Sequence, residues 1–153
     1  MTVPTPGPTA GVFRAPMRSR RDDVDPGLAL ERALDLGLVG IGGRLAPAPT
    51  TWADALRRTA VEHGERVAAR LERFAAVPDG AVVWTRDRDG RCRSGTITGG
   101  WRYDPAPAAY DADLVHVRPC RWAAAVEEHR APAAVVATFA RGGRNFQRIR
   151  ALG

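Results

Sequence analysis

His116 and Cys120 lie four residues apart with Pro119 between them, and a thiol beside a base is the pairing that nucleophilic catalysis uses. Such a thiol must also be exposed, and its base needs a third group to orient it. Nothing in the chain completes that triad, and a cysteine near a strand end reads first as a small buried hydrophobe. Cys92, Cys120, His63, His116 and His129 have no paired-ligand spacing, so neither a metal site nor a catalytic residue is assigned, and no cofactor is expected. All 23 basic residues are Arg and Lys is absent. Its absence removes the P-loop lysine, Schiff-base and pyridoxal-phosphate chemistry, and the nucleases whose metal site includes a Lys. Ser19 and Ser94 are the only serines, and neither sits in a G-x-S-x-G elbow. The Gly37–Gly43 run follows a predicted helix, whereas a dinucleotide fingerprint follows a strand and opens a helix.

Binding chemistry is better represented. The 153 residues are 44% hydrophobic and 26% charged, enough for one domain of ordinary size with a real core. The formal net charge is +6. Residues 84–153 hold 12 Arg against 7 acidic residues, net +5, while residues 1–83 hold 11 against 10, net +1. A field of that sign favours acidic partners such as nucleic acid. Trp84, Trp101, Tyr103 and Trp122 fall in the same half; flat rings can replace the stacking that an extruded base loses, or can simply fill a small core. Trp101 and Tyr103 are two apart and share a strand face. Arg141-Gly142-Gly143-Arg144-Asn145 places two guanidinium groups around a flexible turn suited to a phosphate, or else is a helix end with solvated charges. Arg118 adds a further cation. Arg86, Arg88, Arg91 and Arg93 alternate with Asp87 and Asp89, the pattern of a solvated turn.

These residues need elements to hold them. Residues 1–24, with Pro4, Pro6, Pro8, Pro16 and the cluster Arg18, Arg20, Arg21, read as a mobile tail. Asp25-Pro26 starts a helix over about 26–36 that Gly37 stops, and Leu38–Ile41 is a short strand. Trp52, Leu56, Thr59, His63, Val67, Leu71 and Phe74 recur at helical spacing and predict one helix, capped by Thr51 and Asp54 and ended by Pro78-Asp79-Gly80. His63 on that stripe reads as a hydrogen-bonded core residue. Residues 81–86 and 91–98 form a β-hairpin around Asp87–Gly90, with Gly99–Asp104 continuing from it. A Pro/Ala loop then reaches about residue 112. Leu114–Arg118 is a strand ending at Pro119, residues 127–140 are partly helical after Pro132, and 145–150 close the set. The expected class is α+β: a single domain over 25–153, with two helices (25–79) packed on a small, partly open β-barrel (80–150).

Val83-Trp84-Thr85-Arg86, Gly95-Thr96-Ile97-Thr98-Gly99, Trp101-Arg102-Tyr103, Val115 through Trp122, Phe139 and Asn145–Ile149 together resemble PUA-like β-barrels, specifically the EVE-like modules attached to Mrr-type restriction endonucleases. The resemblance covers roughly residues 80–150. The Gly37–Gly43 part looks like an N-terminal extension of small actinobacterial proteins. Arg91-Cys92-Arg93-Ser94 and Gly100 depart from the pattern. The resemblance implies a non-catalytic module that reads a modified or flipped base, in DNA ahead of RNA, with any effector on a separate chain. In that reading Trp84, Trp101, Tyr103 and Trp122 hold the base and Arg118, Arg141, Arg144 and Asn145 hold its flanking phosphates. The alternative is a protein-interaction or regulatory subunit. No segment approaches the roughly 18 apolar residues of a membrane helix, and the start lacks the apolar run of a signal peptide; a cytoplasmic protein with reduced thiols is expected.

Overall fold

The computed structural model describes residues 10–19, 21–143 and 145–150. Five α-helices and a mixed seven-stranded sheet that curls into a half-barrel make it an α+β fold. The strands are β1 (Val12–Arg14), β2 (Leu38–Ile41), β3 (Val82–Arg86), β4 (Cys92–Ile97), β5 (Arg102–Tyr103), β6 (His116–Trp122) and β7 (Gln147–Arg148). Their order is β2-β6-β4-β3-β1-β7, with β5 also paired to β6. The helices are α1 (Leu28–Leu36), α2 (Trp52–His63), α3 (Glu65–Ala76), α4 (Pro107–Ala112) and α5 (Ala133–Ala140).

The expected division into a helical part and a later barrel is replaced by interleaving. β1 and β2, both from the first half, are strands of the one sheet. β1 falls within the stretch that reads as a tail, and it runs parallel to β3 with Val12 opposite Val82 and Phe13 opposite Val83. Its three residues succeed because β3 is buried on both faces and needs a neighbour for its backbone groups. Phe13 then stacks on Phe146 with ring centroids 5.1 Å apart.

Gly37, at φ 68 and ψ 50, ends α1 in the left-handed conformation, and its carbonyl accepts from Cys120 N at 2.9 Å. Helix α1 starts at Leu28, two residues beyond Pro26, because Asp25 Oδ1 takes the Gly27 N–H at 2.8 Å and closes a separate turn first. The single long helix expected after Thr51 is two. Thr51 caps α2 by accepting from Asp54 N at 3.0 Å. Gly64, at φ 100 and ψ 163, then breaks the chain before α3, a conformation essentially confined to glycine. The Pro/Ala loop contains α4, started by Pro107 in its first turn.

β6 runs through Pro119 rather than ending there. Its first half pairs with β2 and β5 and its second half with β4. Pro119 sits where one partner gives way to the other, and its carbonyl still accepts from Thr98 N at 2.9 Å, so the missing N–H costs no ladder bond.

Two cores flank the sheet. Phe13, Val39, Phe74, Val83, Ile97, Leu114 and Val117 form the larger, and Val82, Trp84, Cys92, Val135 and Ile149 the smaller. Alternation along β3 sends Val83 to the first and its neighbours Val82 and Trp84 to the second.

Candidate functional site

The rings expected to cage a base lie apart. Trp84 is 2% exposed and fills the smaller core. Trp122 is half-buried over Gly95, and its indole N–H donates to Leu38 O at 2.9 Å. Tyr103 donates its hydroxyl to Leu45 O and accepts from Leu45 N, both at 2.9 Å, which pins the chain after Arg44. Burial raises its phenol above the usual range. Trp101 and Trp52 pack edge-to-face with ring centroids 4.8 Å apart, and Trp101 donates its indole N–H to His116 Nδ1 at 3.1 Å. Trp101 borders a shallow cavity with Trp52, and Tyr103 borders a different one with Tyr110.

The expected phosphate ligands separate similarly. Arg118 is 2% exposed. Its guanidinium donates to Phe74 O, Val77 O, Gly99 O and Asp79 Oδ1, so it caps the end of α3 and cannot reach a phosphate. Burial pulls its pKa down, with Asp79 opposing. Arg141 is exposed at the end of α5, and Arg144 lies outside the described residues. The turn between them is held from beneath by Arg14, which donates to Thr138 O, Gly142 O and Gln147 Oε1 at 3.0, 2.8 and 2.7 Å. Nothing local in the sequence marks Arg14, because its partners all lie more than a hundred residues further along the chain.

His116 and Cys120 are both buried. Burial pushes the Cys120 thiol up to about 12 and raises that of Cys92. A thiol so placed stays protonated at neutral pH. Among the described residues no group of three His, Cys, Asp or Glu could hold a metal ion, and no helix is long and apolar enough to cross a membrane.

One recess does combine charge with an apolar floor. It is a cavity of about 220 Å³ floored by Ile41, Val67 and Phe146, with Arg18, Arg21 and Arg70 at its polar wall and Asn145 beside Phe146. Its back is the loop Gly42-Gly43-Arg44 after β2. Gly43 N and Arg44 N both donate to Asp113 Oδ1, at 3.0 and 3.2 Å. The Trp101 indole can only donate, so His116 Nδ1 accepts and the ring proton sits on Nε2, which faces Gly43 O at 3.3 Å. Burial lowers His116 to about 4 and keeps this ring neutral. His63 makes the hydrogen-bond contact expected of it, Nε2 to Arg44 O at 2.8 Å, but it is half-buried at the wall of the recess and not in the core.

Both N–H groups and both carbonyls of Gly43 and Arg44 are therefore engaged within the protein. The loop is a rigid wall rather than an anion nest, and the guanidinium groups supply the positive charge. A Cβ on Gly42 would stand 2.7 Å from Asp113 Oδ2, so only glycine fits. Asp113 commits its other oxygen as well, accepting from Ser19 Oγ at 3.4 Å.

No family model, curated protein or solved structure matches the chain. The site therefore rests on its own geometry. Among the described residues two non-glycine positions adopt positive φ, Asp113 at 51° and Met17 at 52°. Asp113 lines the recess, and Met17 lies in the strap Pro16–Ser19 that leads to its rim. Asp113 takes this conformation as the C-cap of α4, its N–H bonded to Tyr110 O at 3.0 Å, whereas at Met17 it costs about 1–3 kcal/mol. The tail's Arg cluster and the Gly42-Gly43 pair were the visible signals; their convergence depends on the β2–β6 pairing and on α4, which delivers Asp113.

Proposed function

We propose that the protein is a non-catalytic nucleic-acid-binding module, with one base entering the recess behind Gly42-Gly43 and its phosphate meeting Arg18, Arg21 and Arg70. The observation that carries this reading is the pairing of three guanidinium groups with an apolar floor of Ile41, Val67 and Phe146. A volume of about 220 Å³ suits a single flat group; clefts for drug-sized ligands run from about 300 to 1,000 Å³. Guanidinium forks match phosphate geometry, and a dry floor rewards burying a base face.

The site differs from the ring cage expected of the sequence, while the kind of ligand is the same. Extending the reading to a modified or flipped base in DNA, in a restriction or defence setting with any enzymatic step on a separate effector chain, rests on the resemblance of residues 80–150 to EVE-like modules alone, since Arg18, Arg21, Ile41, Val67 and Arg70 lie outside that stretch.

The test is titration of a fluorescent DNA oligonucleotide with wild type and with Val67→Trp, which fills the recess, across a salt series. Wild-type affinity should fall linearly in log–log form as salt rises, and Val67→Trp should bind at least tenfold more weakly. Equal binding by the two proteins, or none by wild type at about 50 mM salt, removes the proposal.

A further inference from the structure

Arg18 lines three cavities, of which the two larger ones matter here. On one side of the strap Pro16–Ser19 it borders the recess; on the other it borders a trough of about 640 Å³, roughly three times larger, whose wall includes Arg86, Arg88 and the Gly142-Gly143 backbone. Among the described residues Arg18 makes no ion pair or side-chain hydrogen bond, so its guanidinium is available to a ligand between the two. We infer that the ligand is a polynucleotide strand rather than a free nucleotide: the recess takes one base, and the neighbouring phosphates pass Arg18 into the trough and pair with Arg86 and Arg88. This deepens the function proposed above and rests on it.

The charges of the trough fit that path. Asp25 and Asp87 also line it, but each carboxylate is engaged by the chain itself. Asp25 Oδ1 accepts from Gly27 N at 2.8 Å. Asp87 Oδ1 accepts from Asp89 N and Arg91 N at 3.0 and 2.9 Å. Arg86 and Arg88 hold exposed partners, Glu128 at 2.8 Å and Glu31 at 3.1 Å. Exposed pairs of this kind contribute little, so a phosphate readily replaces the carboxylate. The solvated hairpin charges predicted from sequence thus acquire a use: Arg86 ends β3, Arg88 follows in the turn, and both reach the trough.

The experiment compares a single-stranded DNA heptanucleotide with the four deoxynucleoside monophosphates, using the full chain and the variants Arg86→Ala/Arg88→Ala and Glu31→Gln. The double variant should bind the heptanucleotide about tenfold more weakly, with a salt slope smaller by about 0.7 for each phosphate it no longer neutralises, and should bind monophosphates as wild type does. Glu31→Gln releases Arg88 from its partner and should tighten heptanucleotide binding by a few-fold, a gain that a merely structural arginine would not produce. The strand path is overturned if the double variant keeps wild-type heptanucleotide affinity and slope, or if it loses monophosphate binding in equal measure. Absence of binding of both ligands by the wild type overturns the recess reading together with the path, whereas intact monophosphate binding with an unchanged heptanucleotide response overturns the path alone.

Discussion

The indole N–H of Trp101 donates to Nδ1 of His116 at 3.1 Å, and this hydrogen bond decides which nitrogen of the buried imidazole carries its proton. With Nδ1 accepting, Nε2 is left to donate toward Gly43 O, so a ring expected to stack on a ligand instead fixes the wall of the recess from behind. The ¹⁵N shifts of His116 should show the Nε2–H tautomer. Trp101→Phe removes the donor, leaves Nδ1 unpaired, and should cost about 1–3 kcal/mol in urea unfolding.

Folded His116 titrates at about 4 against 6.5 for the free side chain, because burial disfavours its charged form. The unfolded chain then binds the proton first as pH falls. The contribution, about 3 kcal/mol, is fully present above pH 6.5, declines through the interval, and is gone below about pH 4. The imidazole signals should show His116 no more than about a tenth protonated at about pH 5. A folded-state midpoint near 6.5 would contradict the burial account.

Arg118, expected to hold a phosphate, instead closes the end of α3. Arg118→Met should destabilise the fold by about 3 kcal/mol, since Asp79 and the Phe74 and Val77 carbonyls lose their partner. The measurement is chemical denaturation alongside oligonucleotide binding. Lower stability with unchanged affinity of the folded fraction supports the capping role, and lost affinity at unchanged stability contradicts it.

Gly64 and Gly100 separate backbone strain from crowding, because an added Cβ meets nothing within 4 Å at either. Gly64 has φ of 100°, and Gly100 lies outside the positive-φ set. Gly64→Ala should therefore lower stability by about 1–3 kcal/mol, while Gly100→Ala should leave it unchanged or raise it by about 0.4–1 kcal/mol. Thermal unfolding of the two variants reads the difference.

Local signals were legible wherever neighbouring residues alone decide the conformation. Gly37 as a helix stop, Thr51 as a cap, the Asp87–Gly90 hairpin and the helix after Pro132 all follow from nearby residues and appear as expected. β1 was illegible because Val12 and Phe13 form a strand through β3, some seventy residues away, and through the still more distant β7. Gly64 carries a loss of about 1 kcal/mol within a helix, too little to forecast a break from apolar spacing alone; its φ shows that the turn won. The recess was hidden for the same reason as β1. Arg18, Gly43, Val67, Asp113 and Phe146 come from five separate stretches that only the tertiary fold brings together.

Buried thiols offer an independent check on the two cores. Cys92 and Cys120 are both unpaired and buried, with pKa values raised by desolvation. Iodoacetamide at about pH 7.5 should label neither in the native protein and both in denaturant. Rapid native labelling of Cys120 would restore the thiol chemistry that its burial argues against.

The location of the ligand is the central claim, and backbone amide shift mapping reads it most directly. Titrating the ¹⁵N-labelled protein with a single-stranded DNA heptanucleotide should move the amides of Ile41–Arg44, Val67, Arg70, Asp113 and Asn145–Phe146 together, ahead of the rest of the chain. Shifts centred on Trp101, Tyr103 and Trp122 with the Gly42-Gly43 loop unmoved, or no shifts at millimolar ligand, would contradict the account.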